Sequence, residues 1–177
     1  MTLPLDDAIR LSDHPRMLTL DFLNHCSPRL RRAWDYWNAK RGSRPMPARR
    51  DIDPTEIPDL LPYLVLTEVL QEPPWLRYRL VGTRQVALRG RDPTGQPVIG
   101  NHLGHHVGKY DDEVMLNYRI ASEGRRFVYS YSTVEGPQEQ GGSSFGLRPA
   151  YGSGTLLLPL SSDGETVDMV FCCTDIE

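Results

Sequence analysis

The chain has 177 residues, enough for one domain with a real core plus a terminal extension, and 39% of them are apolar, an ordinary globular share. Fifteen Gly and fifteen Pro argue against an all-helical bundle, and no apolar run reaches the length that crosses a bilayer. The net charge of −3 hides an asymmetry. Residues 29–50 hold eight basic residues against the single acid Asp35, whereas residues 51–177 hold ten basic and eighteen acidic ones. The body is not basic, so the stretch reads as a solvated helix face and linker, with no nucleic-acid partner expected. Asp6, Asp7, Asp13 and Asp21 interrupt the first 25 residues, which do not read as a secretion signal. Cys26, Cys172 and Cys173 make a poor disulfide framework, because neighbouring residues on a strand point to opposite faces. A cytoplasmic location without membrane insertion is the expectation.

Residues 1–26 form an N-terminal extension with no clean period. Ser27-Pro28 then supplies an N-cap with proline at the first helical position, and Leu30, Trp34 and Trp37 recur as one apolar stripe before Gly42 stops the helix. The linker from Ser43 to Arg50 is too proline-rich to be helical. Asp53-Pro54-Thr55-Glu56 has the form of a capping box and predicts a short helix ending before Pro62. Two strands follow, Tyr63 to Leu70 and Leu76 to Leu80; in the second, strict alternation places Leu76, Tyr78 and Leu80 opposite Arg77 and Arg79. Thr83 to Leu88 predicts one or two helical turns closed by Gly90, and 91–109 an irregular, glycine-bearing stretch. A helix from about Asp111 to Glu123 is followed by a third strand with Phe127, Tyr129, Tyr131 and Thr133 on one face. Residues 136–142 read as a polar loop. Thr155 to Leu160 is apolar on both faces, as in an interior strand, although Pro159 cannot donate to a ladder. Asp163-Gly164 signals the turn into a last strand with Val167, Met169 and Phe171 alternating.

This order of two strands, helices and three strands resembles the PAS fold. The local wording agrees: Met46-Pro47-Ala48-Arg49-Arg50-Asp51-Ile52-Asp53-Pro54 with Leu61-Pro62, Arg77-Tyr78-Arg79-Leu80-Val81-Gly82-Thr83, Gly90-Arg91-Asp92-Pro93-Thr94-Gly95, and Leu157-Leu158-Pro159-Leu160-Ser161 before Asp163-Gly164. These segments, spread from about residue 30 to the end, are similar to a group of short single-domain proteobacterial PAS-like proteins. The resemblance implies an α+β domain over residues 27–177, with a five-stranded antiparallel sheet in the order 2-1-5-4-3 under a helical cover. It also implies a non-catalytic sensory role, with the signal leaving through a protein partner such as a histidine kinase. It carries no catalytic residues across.

His102, His105 and His106 are the strongest metal candidates, since His102 and His106 would share one face of a helix. Gly100, Gly104 and Gly108 weaken such a helix, and no glutamate stands in the motif to serve as a base, so exposed imidazoles on a loop are the preferred reading. A small metal-assisted α+β enzyme built on these histidines is the rival to the sensor. Haem is not supported, because the 111–123 helix holds no histidine; flavin photochemistry is not supported, because no cysteine lies in the helical region. No strained Gly-x-Ser-x-Gly turn and no phosphate loop appear. The expected ligand is an unidentified small molecule between the sheet and the 83–123 helices, lined by Tyr78, Leu80, Val86, Tyr118, Phe127, Tyr129 and Met169, with 91–109 as a lid. Leu30, Trp34 and Trp37 are expected to cover the other sheet face, from the same chain or from a second copy in a homodimer.

Overall fold

The computed structural model describes residues 3–101, 110–131 and 154–175, with side chains from 112 onward in the middle segment. His102, His105, His106, the expected lid beyond residue 101 and the 136–142 loop lie outside the described residues. Helix α1 (Leu5–Leu11) leads to a two-residue strand, β1 (Arg16–Met17), and after a 3-10 turn at Leu20–Asn24 comes α2 (Pro28–Arg41). Strands β2 (Leu64–Val69) and β3 (Leu76–Val81) precede α3 (Thr83–Arg89) and α4 (Tyr110–Ser122); β4 (Val128–Tyr131), β5 (Gly154–Leu160) and β6 (Met169–Thr174) complete the chain.

Caps set the helix ends as the residue types dictate. Ser27 accepts a hydrogen bond from the Leu30 N–H, Pro28 opens α2, and Gly42 closes it at positive φ. Gly90 ends α3 in the left-handed region at φ 69°. Asp53 caps as its sequence suggests, accepting from the Thr55 N–H and hydroxyl, yet the expected helix to Pro62 is instead two 3-10 turns, Pro54–Glu56 and Leu61–Tyr63. Pro58 and Pro62 interrupt the stretch and deny it a continuous ladder.

All pairings in the sheet are antiparallel, and its order is β1-β4-β5-β6-β2-β3. Among the described residues the sheet therefore has six strands where five were expected; the extra one is β1, added to the outer edge of β4 through Arg16↔Ser130 and Met17↔Tyr129. At the opposite edge, residues 95–98 hydrogen-bond to β3: Tyr78 N–H to the Gln96 carbonyl, Gly95 N–H to the Tyr78 carbonyl, and Val98 N–H to the Leu76 carbonyl. Both edges are thus occupied by the chain itself, which removes the open ladders that invite aggregation. Residues 95–98 spend their backbone groups here, so this part of the expected lid is a strand-edge cover.

Pro159 is tolerated because β4 pairs with β5 only as far as Leu157, leaving the proline beyond the end of that ladder. Its carbonyl accepts instead from the Trp37 indole at 2.9 Å. Helix α2 lies across β5 and β6, with Leu30, Trp34 and Trp37 all buried against the sheet of their own chain. A homodimer through this stripe, as the sequence suggested, has lost its surface; the apolar residues are already covered. Five of the eight basic residues between 29 and 50 are ion-paired, as Arg29–Asp175, Arg31–Asp35, Arg32–Asp59, Lys40–Glu56 and Arg44–Asp51. Most of that charge is therefore answered locally by acids. The linker, too, is folded: Met46 and Ala48 are buried, and the Pro47 carbonyl accepts from the Ser161 N–H.

Candidate functional site

Period-2 alternation sorts the sheet into two faces. The bond between Thr67 and Tyr118 marks the face under α4, and the register carries that face through Val65, Cys172, Leu157, Val128 and Ser130. The other face carries Leu66, Phe171, Leu158, Leu156, Cys173 and Tyr129 under α2. On the α2 side, Phe22 sits 5.4 Å from Trp34, 5.2 Å from Phe127 and 5.5 Å from Tyr129 between ring centroids, and Trp34 lies 5.0 Å from Phe127. Such tilted and edge-on aromatic contacts add to simple burial and leave this face dry and closed.

The α3/α4 side is different in kind. Gly82 turns the chain straight from β3 into α3; a Cβ there would lie 2.3 Å from the Leu61 carbonyl oxygen and 2.5 Å from that of Pro62. No other residue allows this approach, and the tight turn tucks the first turn of α3 inward so that Gln85 is only 1% exposed. The sheet face on this side carries Tyr78 from β3, Thr67 from β2 and Cys172 from β6, with Tyr118 from α4 against it, all buried. Thr67 Oγ1 and the Tyr118 hydroxyl are 3.0 Å apart. Arg89, one turn beyond Gln85, sends Nη1 to the Gln85 backbone carbonyl at 3.1 Å and to its side-chain oxygen at 2.6 Å. Its Nε donates to the Asn101 carbonyl at 3.3 Å, and its guanidinium carbon lies 5.5 Å from the centre of the Tyr78 ring.

Which atom of Gln85 faces Arg89 is fixed by chemistry. Guanidinium has donors only, so the oxygen must point to it and the NH2 must point away. That Nε2 has no hydrogen-bond partner among the described residues, although it is sealed from solvent. A buried donor without an acceptor costs about 1–3 kcal/mol, and native interiors hold few of them.

Burial drives the pKa of Tyr118 well above that of an ordinary phenol and raises Tyr78, while the Cys172 thiol is pushed up to about 12. The Arg89 charge opposes the rise at all three, which places one cation within reach of the whole cluster. At neutral pH the hydroxyls and the thiol keep their protons. They offer hydrogen bonds and polarizable surface, and no thiolate or phenolate nucleophile.

Seven lining residues were expected, and the structure brings only part of them together. Tyr78 and Tyr118 meet under the helices, with Val86 half-buried on α3 beside them. Phe127 and Tyr129 belong to the aromatic group under α2, and Met169 shares that face with Phe171. Leu80 pairs with Leu66 on the α2-side face and is 37% exposed. The cause is a β-bulge at Arg79, where the register shifts between Leu66 and Thr67; it resets the alternation so that Val81, not Leu80, follows Tyr78 inward. Thr67, Gln85, Arg89 and Cys172 were not foreseen. A signal existed in the Gln-x-x-x-Arg spacing of Thr83-Arg-Gln-Val-Ala-Leu-Arg89, which sets the two side chains one above the other on a helix.

A second polar group lies at the β1 end of the same sheet face. Arg16, almost fully buried, donates to Glu113, Asn117 and Ser12, while His14 Nε2 meets the Ser130 hydroxyl at 2.8 Å. Burial, aided by Arg16, lowers the His14 pKa. These bonds fasten the N-terminal extension to α4 and to the sheet edge. Among the described residues no group of three His, Cys, Asp or Glu side chains is placed to hold a metal ion.

No curated protein and no solved structure matches the chain. Residues 25–109 match the family model of the PAS domain. This segment holds α2, β2, β3 and α3, and with them Thr67, Tyr78, Gln85 and Arg89. The stretch that builds the α2 cover and most of the buried polar cluster is thus the part of the chain that is similar to the PAS domain.

Proposed function

We propose that the protein is a non-catalytic sensory or regulatory domain that binds a small molecule between the sheet and α3/α4 and passes the signal to a protein partner. The family supports the sensory role. In addition, β3-β2-β6-β5-β4, numbered in chain order without β1, read 2-1-5-4-3, the PAS order. The single observation that carries the binding reading is the buried Gln85 Nε2, unpartnered among the described residues, on the side chain whose oxygen is held by Arg89. An apolar side chain would fill this place at lower cost, so a polar one held by Arg89 is what a ligand contact requires. The protonated hydroxyls and thiol fit holding a ligand better than transforming it.

A bound ligand acts in this reading by changing association with another protein, a histidine kinase being the expected class. Three free thiols, two of them buried, suit a reducing cytoplasmic setting. A homodimer, if formed, uses surface other than the Leu30, Trp34 and Trp37 stripe.

Native mass spectrometry of the freshly purified chain tests the reading. A small molecule retained by the wild type and lost from Gln85→Leu is the expected result. A wild type that carries no adduct and acquires none from a lysate extract of small molecules contradicts it.

A further inference from the structure

We infer that the ligand of this interior site is a small carboxylate, read by the Gln85 amide and the Arg89 guanidinium together. The inference rests on the ligand-binding reading above and adds the chemical class. It begins from the two N–H bonds of Gln85 Nε2, which have no acceptor. The glutamine cannot relieve this by flipping. Turning the amide would set NH2 against the Arg89 Nη1 donor that now lies 2.6 Å from the oxygen, replacing a charge-assisted bond by two opposed donors. The occupant of the place next to Nε2 must therefore bring an acceptor.

Charge narrows the class. Arg89 is anchored at both ends of its reach, by the Gln85 oxygens and by the Asn101 carbonyl, and its guanidinium stands beside the buried Tyr78 ring. Asn101 is itself held, donating to the Pro97 carbonyl at 2.8 Å and accepting from Arg91. The half-buried cation is thus held in a fixed place, and none of the carboxylates in the described ion pairs is bonded to it. The surrounding groups, Tyr118, Tyr78 and Cys172, stay neutral because burial raises their pKa values. A cationic ligand meets a like charge, and an apolar one leaves Nε2 unpaired. A neutral carbonyl satisfies the amide but not the charge. A carboxylate satisfies both, with one oxygen for Nε2 and negative charge toward Arg89. The Tyr78 ring, 5.5 Å from the guanidinium carbon, supplies aromatic surface for a short carbon skeleton beside it.

The test compares acetate, succinate and benzoate with acetamide, succinamide and benzamide by calorimetry and thermal shift on the full chain, with sulfate as a control for anions in general. The carboxylate of the best-fitting pair is expected to bind about tenfold more tightly than its amide, the size of one charge-assisted contact. Gln85→Leu and Arg89→Leu each remove the preference, and Arg89→Lys keeps part of it. A urea midpoint at or above wild type for Gln85→Leu shows that the loss is not unfolding. Equal binding of acids and amides, equal binding of sulfate, or a preference that survives Gln85→Leu overturns the carboxylate assignment. Hexanol and toluene separate this failure from that of the parent reading. If either binds and Gln85→Leu alters the affinity while no carboxylate binds, the ligand site stands and its assigned class falls. If no probe binds, both fall, and a buried water is what satisfies Nε2.

Discussion

Under α2, the sheet is closed by Phe22, Trp34, Trp37, Phe127 and Tyr129, ring against ring; under α3 and α4, the same strands offer Thr67, Tyr78 and Cys172 to Gln85, Arg89 and Tyr118. One face is packed as a core. The other has paid for polar groups it does not need for folding, and one of them is left without a partner. Stability and binding are thus divided between two sides of a single layer, as expected when functional sites keep costs that a core would eliminate.

Substitutions should expose this division. Trp37→Ala removes a buried indole from the α2 side together with its bond to the Pro159 carbonyl, and is expected to cost about 4 kcal/mol in urea unfolding. Alkaline pH acts on both sides, since Cys172 and Cys173 are buried on opposite faces and both thiols are raised, Cys172 to about 12. Unfolding lets them ionise near the ordinary thiol value of about 8.5. Their contribution is therefore intact below that value and shrinks as pH climbs from there toward the folded-state values. A falling urea midpoint above pH 9 that is blunted in Cys172→Ala checks the sign. Tyr118→Phe on the polar side leaves the Thr67 hydroxyl unpaired and should cost about 1 kcal/mol, well below the tryptophan effect. Gln85→Leu is expected to be neutral or slightly stabilising without ligand, because it deletes the unsatisfied donor. A loss as large as that of Trp37→Ala would mean that Gln85 is core after all and would dissolve the contrast.

Much of this frame could be read from the sequence. Local rules governed α2, with its Ser27-Pro28 start, Gly42 stop and Trp34–Trp37 stripe, and they governed α3, α4 and the strands of the sheet. The site was harder to read because its membership depends on parity. A single extra residue at Arg79 moved Leu80 out and Val81 in, and whether Tyr129 or Val128 faces α4 depends on pairing with β5, which no local pattern fixes. Likewise β1 is two residues held by partners more than a hundred positions away, Ser130 among them, and carries no period of its own. Gln85 carries no local signal, because a polar residue on a short helix ordinarily faces water; the close approach at Gly82 turns it inward.

The most direct test follows two side-chain N–H signals, one from each face, by NMR during a succinate titration of the full chain. The Gln85 amide is assigned by its loss in Gln85→Leu, and the Trp37 indole by its loss in Trp37→Phe. The account predicts that the Gln85 signal moves in a saturable way while the Trp37 signal stays still. A Gln85 signal that does not respond, or a Trp37 signal that moves as far, contradicts it.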